Sequence, residues 1–177
     1  MNDSQSGSAV AAGIALILAP ILALVVKAAV FPGWMLFFIV MASIPLLLGY
    51  ALQIVVAANG MLRTRGVFQT MPGRQRGILA AWITSIGILL VGIFLVDGGD
   101  DGTYGSAFTV LLGTSSTPGG EQLSTLLMLA SALLWIGGWL WLVVEWIVLL
   151  AQRRSAARAA QAWPGPAAQA YPGGRDA

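Results

Sequence analysis

Neither cysteine nor histidine occurs anywhere in the 177 residues. Their absence removes disulfides, thiol nucleophiles, His-ligated haem, Ser-His triads and the usual zinc sites in one step. With no thiol to read, the chain is silent about redox compartment. Charge is scarce too: Asp, Glu, Lys and Arg make up 9% of the residues, against roughly 25% in ordinary globular proteins. Hydrophobic residues make up 58%, which no soluble fold of this length requires. The net charge of +2 is too small to argue for a nucleic-acid partner, so the placement of the charges carries the information. A single Lys beside many Ala, Gly and Arg fits a GC-rich bacterial gene.

What is present is four long apolar runs, at residues 9–30, 34–58, 77–96 and 123–151. Each is long enough to cross a hydrocarbon core of about 30 Å as a helix. The reading is all-α: an integral membrane bundle of four antiparallel transmembrane helices spanning residues 9–151. Residues 1–8 form a short polar start; residues 152–177 are a basic and then Pro/Gly-rich tail, of which the Pro/Gly-rich part, residues 163–177, is expected to be disordered. Because residues 1–8 are acidic rather than basic, the first run reads as an anchor and not as a cleaved signal.

Pro20 lies inside the first run and leaves the Leu16 carbonyl without its usual helical donor. Pro45 lies inside the second. Between them, Phe31, Pro32 and Gly33 form a tight turn and Trp34 sits at an interface. Residues 59–76 carry Arg63, Arg65, Arg74 and Arg76 and no acid; Arg153, Arg154 and Arg158 follow the fourth run. Residues 97–122 are Gly-rich and acidic, with Asp97, Asp100, Asp101 and Glu121. Short cytoplasmic loops are rich in Arg and Lys, so both termini are expected inside the cell, in a plasma membrane. The lipid bilayer is then one partner, with Arg63, Arg65, Arg74, Arg76, Arg153 and Arg154 expected at anionic headgroups. Residues 107–112 are apolar enough to rest on the membrane surface or form a short strand.

Small residues at four-residue spacing let membrane helices approach closely. Ala11, Ala15, Ala19 and Ala23 form such a row ending on Lys27; Gly77, Ala81 and Ser85 form another, and Gly49, Gln53 and Ala57 a third. On the fourth run Ser124, Ser131, Gly138 and Glu145 recur every seven residues, which keeps them near one face. These rows read first as packing seams and second as the lining of a solute path. Trp135, Trp139 and Trp146 fall on another face, toward lipid or a packing neighbour.

Glu145 is the one acid inside an apolar run. It lies about 33 Å along the fourth helix, near the cytoplasmic boundary, and Gln53 reaches a similar depth. A hydrogen bond from Gln53 or an Arg at the rim is its expected partner. Lys27 belongs to the opposite leaflet, where snorkelling or the acidic loop accounts for it. The Asp97, Asp100 and Asp101 cluster is a possible divalent-cation ligand set, but its spacing departs from an EF-hand loop and a solvated loop is the default. Small four-span efflux transporters rely on a carboxylate in the first helix; residues 9–30 have none, and no resemblance follows. No nucleophile with a base and no phosphate loop assembles, so neither an enzyme nor a cofactor is expected. The favoured function is association, as an accessory or assembly subunit or a homo-oligomer. The alternative is a small channel or transporter subunit using the Ser124, Ser131, Gly138 and Glu145 face with Gln53.

Overall fold

The computed structural model describes residues 7–99 and 102–162. The chain is mostly helical, and four helical stretches are long and apolar enough to cross a membrane. Helix α1 spans Gly7–Val30, α2 Met35–Met41, α3 Ser43–Val56, α4 Val67–Thr70, α5 Arg74–Phe94, α6 Ala107–Leu111 and α7 Pro118–Ala162. A π-helical segment, Ala57–Leu62, follows α3 directly. Two short strands, β1 Asp97–Gly98 and β2 Tyr104–Gly105, pair antiparallel with Asp97 opposite Gly105.

The second apolar run is not one helix. It breaks at Ala42, whose φ of −87° and ψ of 15° lie in the bridge region between helix and strand. The cause is Pro45, which cannot donate to the carbonyl of Met41 and whose ring crowds it. Helix α2 therefore ends at Met41, and regular bonding resumes with Leu46 N donating to Ala42 O at 3.2 Å. At its other end the run continues past residue 58 through the π-helical segment to Leu62. The Arg-rich loop then folds back: Val67 and Phe68 of α4 are fully buried. The Phe68 ring occupies the space left by two glycines, Gly60 and Gly77, where a Cβ would collide with it.

Helix α5 is the centre of the bundle, packed most extensively on α7 and next on α1. Glycine allows both approaches. A Cβ on Gly92 would lie 2.8 Å from the Ala23 carbonyl oxygen of α1, and one on Gly87 would lie 2.5 Å from the Trp135 nitrogen of α7. The α1 stripe that turns inward is Ala9, Ala12, Gly13, Leu16, Ala19, Ala23 and Lys27. It follows the expected row only in its second half; Ala11 is exposed, because Gly13 sets the contact with Met61 and Leu62.

All four spans converge at the Arg-rich end, where Leu16, Val56, Met61, Phe68, Ala81, Leu142 and Leu149 form one apolar cluster. At the other end α6 packs on α1, α5 and α7, with the β1–β2 pair joined to it through β2. Of residues 107–112, Ala107–Leu111 form α6, capped by a reciprocal Ser106–Thr109 box; Ala107 and Thr109 face inward while Val110, Leu111 and Leu112 are exposed. Helix α7 begins with Pro118 as its first residue, where the missing N–H costs nothing. It runs 45 residues, about 68 Å, so that residues 152–162, expected within the tail, continue the helix and are exposed. The expected disorder of the Pro/Gly-rich part falls on residues 163–177, outside the described ones.

Candidate functional site

Most of the buried polar side chains gather in three places, and the most developed is at the loop-covered end. Lys27 stands on the inward stripe of α1, not on its lipid side, and cannot reach headgroups by snorkelling. Its Nζ lies 3.3 Å from Asp97 Oδ2, with the two side chains 1% and 3% exposed. It also donates to Leu95 O at 3.2 Å and stands 5.3 Å from the centre of the Phe31 ring. Asp97 accepts in addition from Met35 N, at 3.0 Å to each carboxylate oxygen, and from Gly98 N at 2.9 Å. A buried ion pair persists only when its remaining donors and lone pairs are also satisfied, and these contacts do that. Gly33 is required beside it, since a Cβ there would sit 2.5 Å from the Asp97 carboxyl carbon.

Asp97 thus departs from the solvated loop expected of it. Its location at the start of β1, with two residues between it and the end of α5, turns it under the α1–α2 turn. Asp100 and Asp101 lie outside the described residues, and no cluster of three or more metal-ligating side chains occurs among the described ones. The expected contact of Lys27 with the acidic loop is present, and the residue that makes it is Asp97, which no expectation singled out. The available signal was positional: Asp97 is the first acid after the third span, at the same membrane level as Lys27.

The second place is the Pro20 kink. Gln53 Nε2 donates to Leu16 O at 2.6 Å, the carbonyl that Pro20 orphans, and Tyr50 Oη donates to Ile17 O at 2.8 Å. Gln53 is buried and serves α1, not Glu145. The expected Gln53–Glu145 bond does not form, because α3 packs on α1 and α7 lies beyond α5. Glu145 is half-buried and accepts from Trp141 Nε1 at 3.2 Å on its own helix.

The third is a group of hydroxyls under α6. Ser124 Oγ donates to Phe94 O at 2.8 Å and lies 2.8 Å from Ser106 Oγ, which caps α6. Farther along α7, Ser131 is buried and bonds Leu127 O at 2.7 Å. Gly138 is buried against Ile83 and Thr84 of α5. Three members of the heptad row therefore face α5 while Glu145 stands to one side. Trp135 and Trp146 pack on Gly87 and Gly60 respectively.

At the opposite end, Arg63, Arg65, Arg74, Arg76, Arg153 and Arg154 are all exposed. Arg153 Nη1 donates to Arg65 O at 2.7 Å, joining the loop to α7 across 88 positions, and Arg74 Nη1 donates to Gln69 O at 2.8 Å. The arginines thus form one surface from two distant segments. No family model, curated protein or solved structure matches this chain.

Proposed function

We propose that the chain is a non-catalytic multi-pass membrane protein that acts by helix–helix association, as an accessory or assembly subunit or as a homo-oligomer. The observation that supports this is the middle of the second span. From residue 40 to residue 48 every side chain except half-buried Ser43 is exposed, with Met41 at 69% and Ile44 at 72%. A helix packed inside its own bundle buries a stripe; this stretch buries none, and Gly49 next to it has nothing within 4 Å of where a Cβ would be. Small residues left open in this way admit a neighbouring helix at close range. By contrast, Gly87 of α5 and Gly138 of α7 are each already closed off by the other helix.

In this reading both termini are cytoplasmic, the arginine surface lies on the inner leaflet of a bacterial plasma membrane against anionic headgroups, and α6 lies at the outer face. Each base near such a surface contributes about 1 kcal/mol. The test is single-cysteine cross-linking in native membranes, in a chain that has no cysteine of its own. Discrete adducts are expected at Ile44 and Leu47 and not at Leu18 of α1, which is also exposed. Equal labelling at all three positions, with specific solute flux in vesicles that is lost in Glu145→Gln, would replace this reading by the transporter one.

A further inference from the structure

We propose that the exposed side of the α5–α7 pair, opposite α4, is a contact between two copies of this chain, in which Glu145 of each copy binds the Arg76 guanidinium of the other. The starting point is an acid without a cation. Glu145 accepts from Trp141 Nε1 on its own helix, and among the described residues its carboxylate pairs with no base. Around it on α7 are the exposed apolar side chains Val144, Ile147 and Val148. An ionisable group within a spanning helix turns to the bundle interior or takes a partner. Glu145 stands at the edge of the α5–α7 seam, half-buried, which leaves a partner.

Arg76 has the complementary charge, and its guanidinium makes no hydrogen bond or ion pair among the described residues. It is exposed in the first turn of α5. The two residues share a depth. The Phe68 ring fills the Cβ positions of both Gly60 and Gly77, and Trp146 adjoins Gly60; Arg76 and Glu145 directly precede Gly77 and Trp146. They also share a side. At 100° per residue Arg76 lies about 20° from Gly87, which meets Trp135 of α7, and Glu145 lies about 20° from Gly138. Both are turned by about 100° from the residues beside Phe68, so they border the side of the seam that α4 leaves open. That side carries exposed Leu79 and Ile86 on α5 and exposed Leu134, Trp141 and Val148 on α7.

A second copy is the occupant because this side carries its own complement. Copies inserted in one orientation hold the same residues at the same depth. A two-fold axis along the membrane normal lays such a face on itself, with residue i meeting j and j meeting i. Each Glu145 then stands opposite the Arg76 of the other copy, and a carboxylate and a guanidinium bond through two parallel N–H···O contacts. Glu145 is the one acid among the described residues at the arginine end, so another register would set arginine against arginine. This contact goes beyond the association reading, since it lies on α5 and α7 whereas the second span packs on α1. Adducts at Ile44 and Leu47 therefore bear on the second span alone.

The experiment exchanges the charges in the full chain, reconstituted in vesicles of phosphatidylcholine and phosphatidylglycerol. Donor- and acceptor-labelled copies carry the dye at Thr64→Cys, exposed in the arginine loop, and energy transfer reports association. Native copies should associate. Glu145→Arg and Arg76→Glu should each fall to the level of unassociated copies, because every contact then opposes like charges. Mixing these two single variants should restore transfer, since each supplies the charge the other has lost. Glu145→Gln and Arg76→Gln, which add no repulsion, should each weaken association about tenfold, the scale of a polar contact between membrane helices. Native-like transfer in both Gln variants overturns the contact. So does recovery in a chain carrying both exchanges without recovery in the mixture, because the pair would then lie within one copy.

Discussion

Proline and glutamine explain each other across two helices. Pro20 removes the donor that Leu16 O would have had, and Gln53 supplies another from α3. Leaving a buried carbonyl unsatisfied costs about 1–3 kcal/mol, so Gln53→Leu should destabilise by about that amount in reversible detergent unfolding. In a Pro20→Ala background the new backbone N–H serves Leu16 O, and the same Gln53→Leu change should cost far less. A double-mutant cycle with coupling near zero, where contacting residues normally show about 0.5–3 kcal/mol, would mean the two residues act separately. The orphaned carbonyl was visible in the sequence; its partner was not. Glu145 at matching depth drew attention to Gln53, whose amide donates as readily to a carbonyl as to a carboxylate. One sequence does not say that α3 packs on α1, while α7 packs on α5. The Lys27–Asp97 pair was hidden for a related reason: an acid in a Gly-rich loop looks solvated until a turn as tight as Pro32-Gly33 is known to fold over it.

At the scale of elements, spacing located the packing face of α7, not the helix it meets, and geometry limited how far that face runs. A row repeated every seven residues drifts about 20° per heptad on a straight helix, or about 60° from Ser124 to Glu145. Helix α7 follows this drift: its buried positions run Ser124, Ser131, Gly138 and then step to Leu142 and Leu149, leaving Glu145 beside the seam. Adjacent glycines give the sharpest test. A Cβ on Gly138 would lie 2.9 Å from Thr84 N and from Ile83 Cγ2, whereas one on Gly137 would meet nothing within 4 Å. Gly138→Ala should therefore destabilise by about 1–3 kcal/mol through overpacking. Gly137→Ala, which only removes backbone freedom from the unfolded chain, should stabilise by about 0.4–1 kcal/mol. Unfolding of both variants in the same micelle decides this, and similar values would refute the close α5–α7 contact. The break at Ala42 was foreshadowed by Pro45 but not its completeness, since proline bends some membrane helices and ends others according to what packs around them. Here Pro45 and its neighbours from residue 44 to residue 48 are exposed.

For the molecule as a whole, four apolar stretches were plain from composition, and the polarity of its ends follows from charge. Seven described arginines lie at one end, at Arg63, Arg65, Arg74, Arg76, Arg153, Arg154 and Arg158, and the fold gathers them through the Arg153–Arg65 contact. The other end has Asp97 turned inward on Lys27, so its pair adds no net charge to that surface. Loop charge sets membrane orientation through Arg and Lys, with acids contributing little; the neutral Lys27–Asp97 pair therefore sharpens an asymmetry already favouring an arginine-side interior. Orientation is open to direct measurement with single cysteines. Thr64, in the arginine loop, and Tyr104, on β2, are both exposed and stand at opposite ends of the bundle. In intact cells an impermeant maleimide should label Tyr104→Cys at once and Thr64→Cys only after permeabilisation. The reverse pattern would place the arginines outside, against the charge rule, and would also remove the anionic inner leaflet as their partner. Labelling of both positions in intact cells would be incompatible with any single orientation, leaving a dual-topology antiparallel assembly as the arrangement to which the uncovered second span belongs.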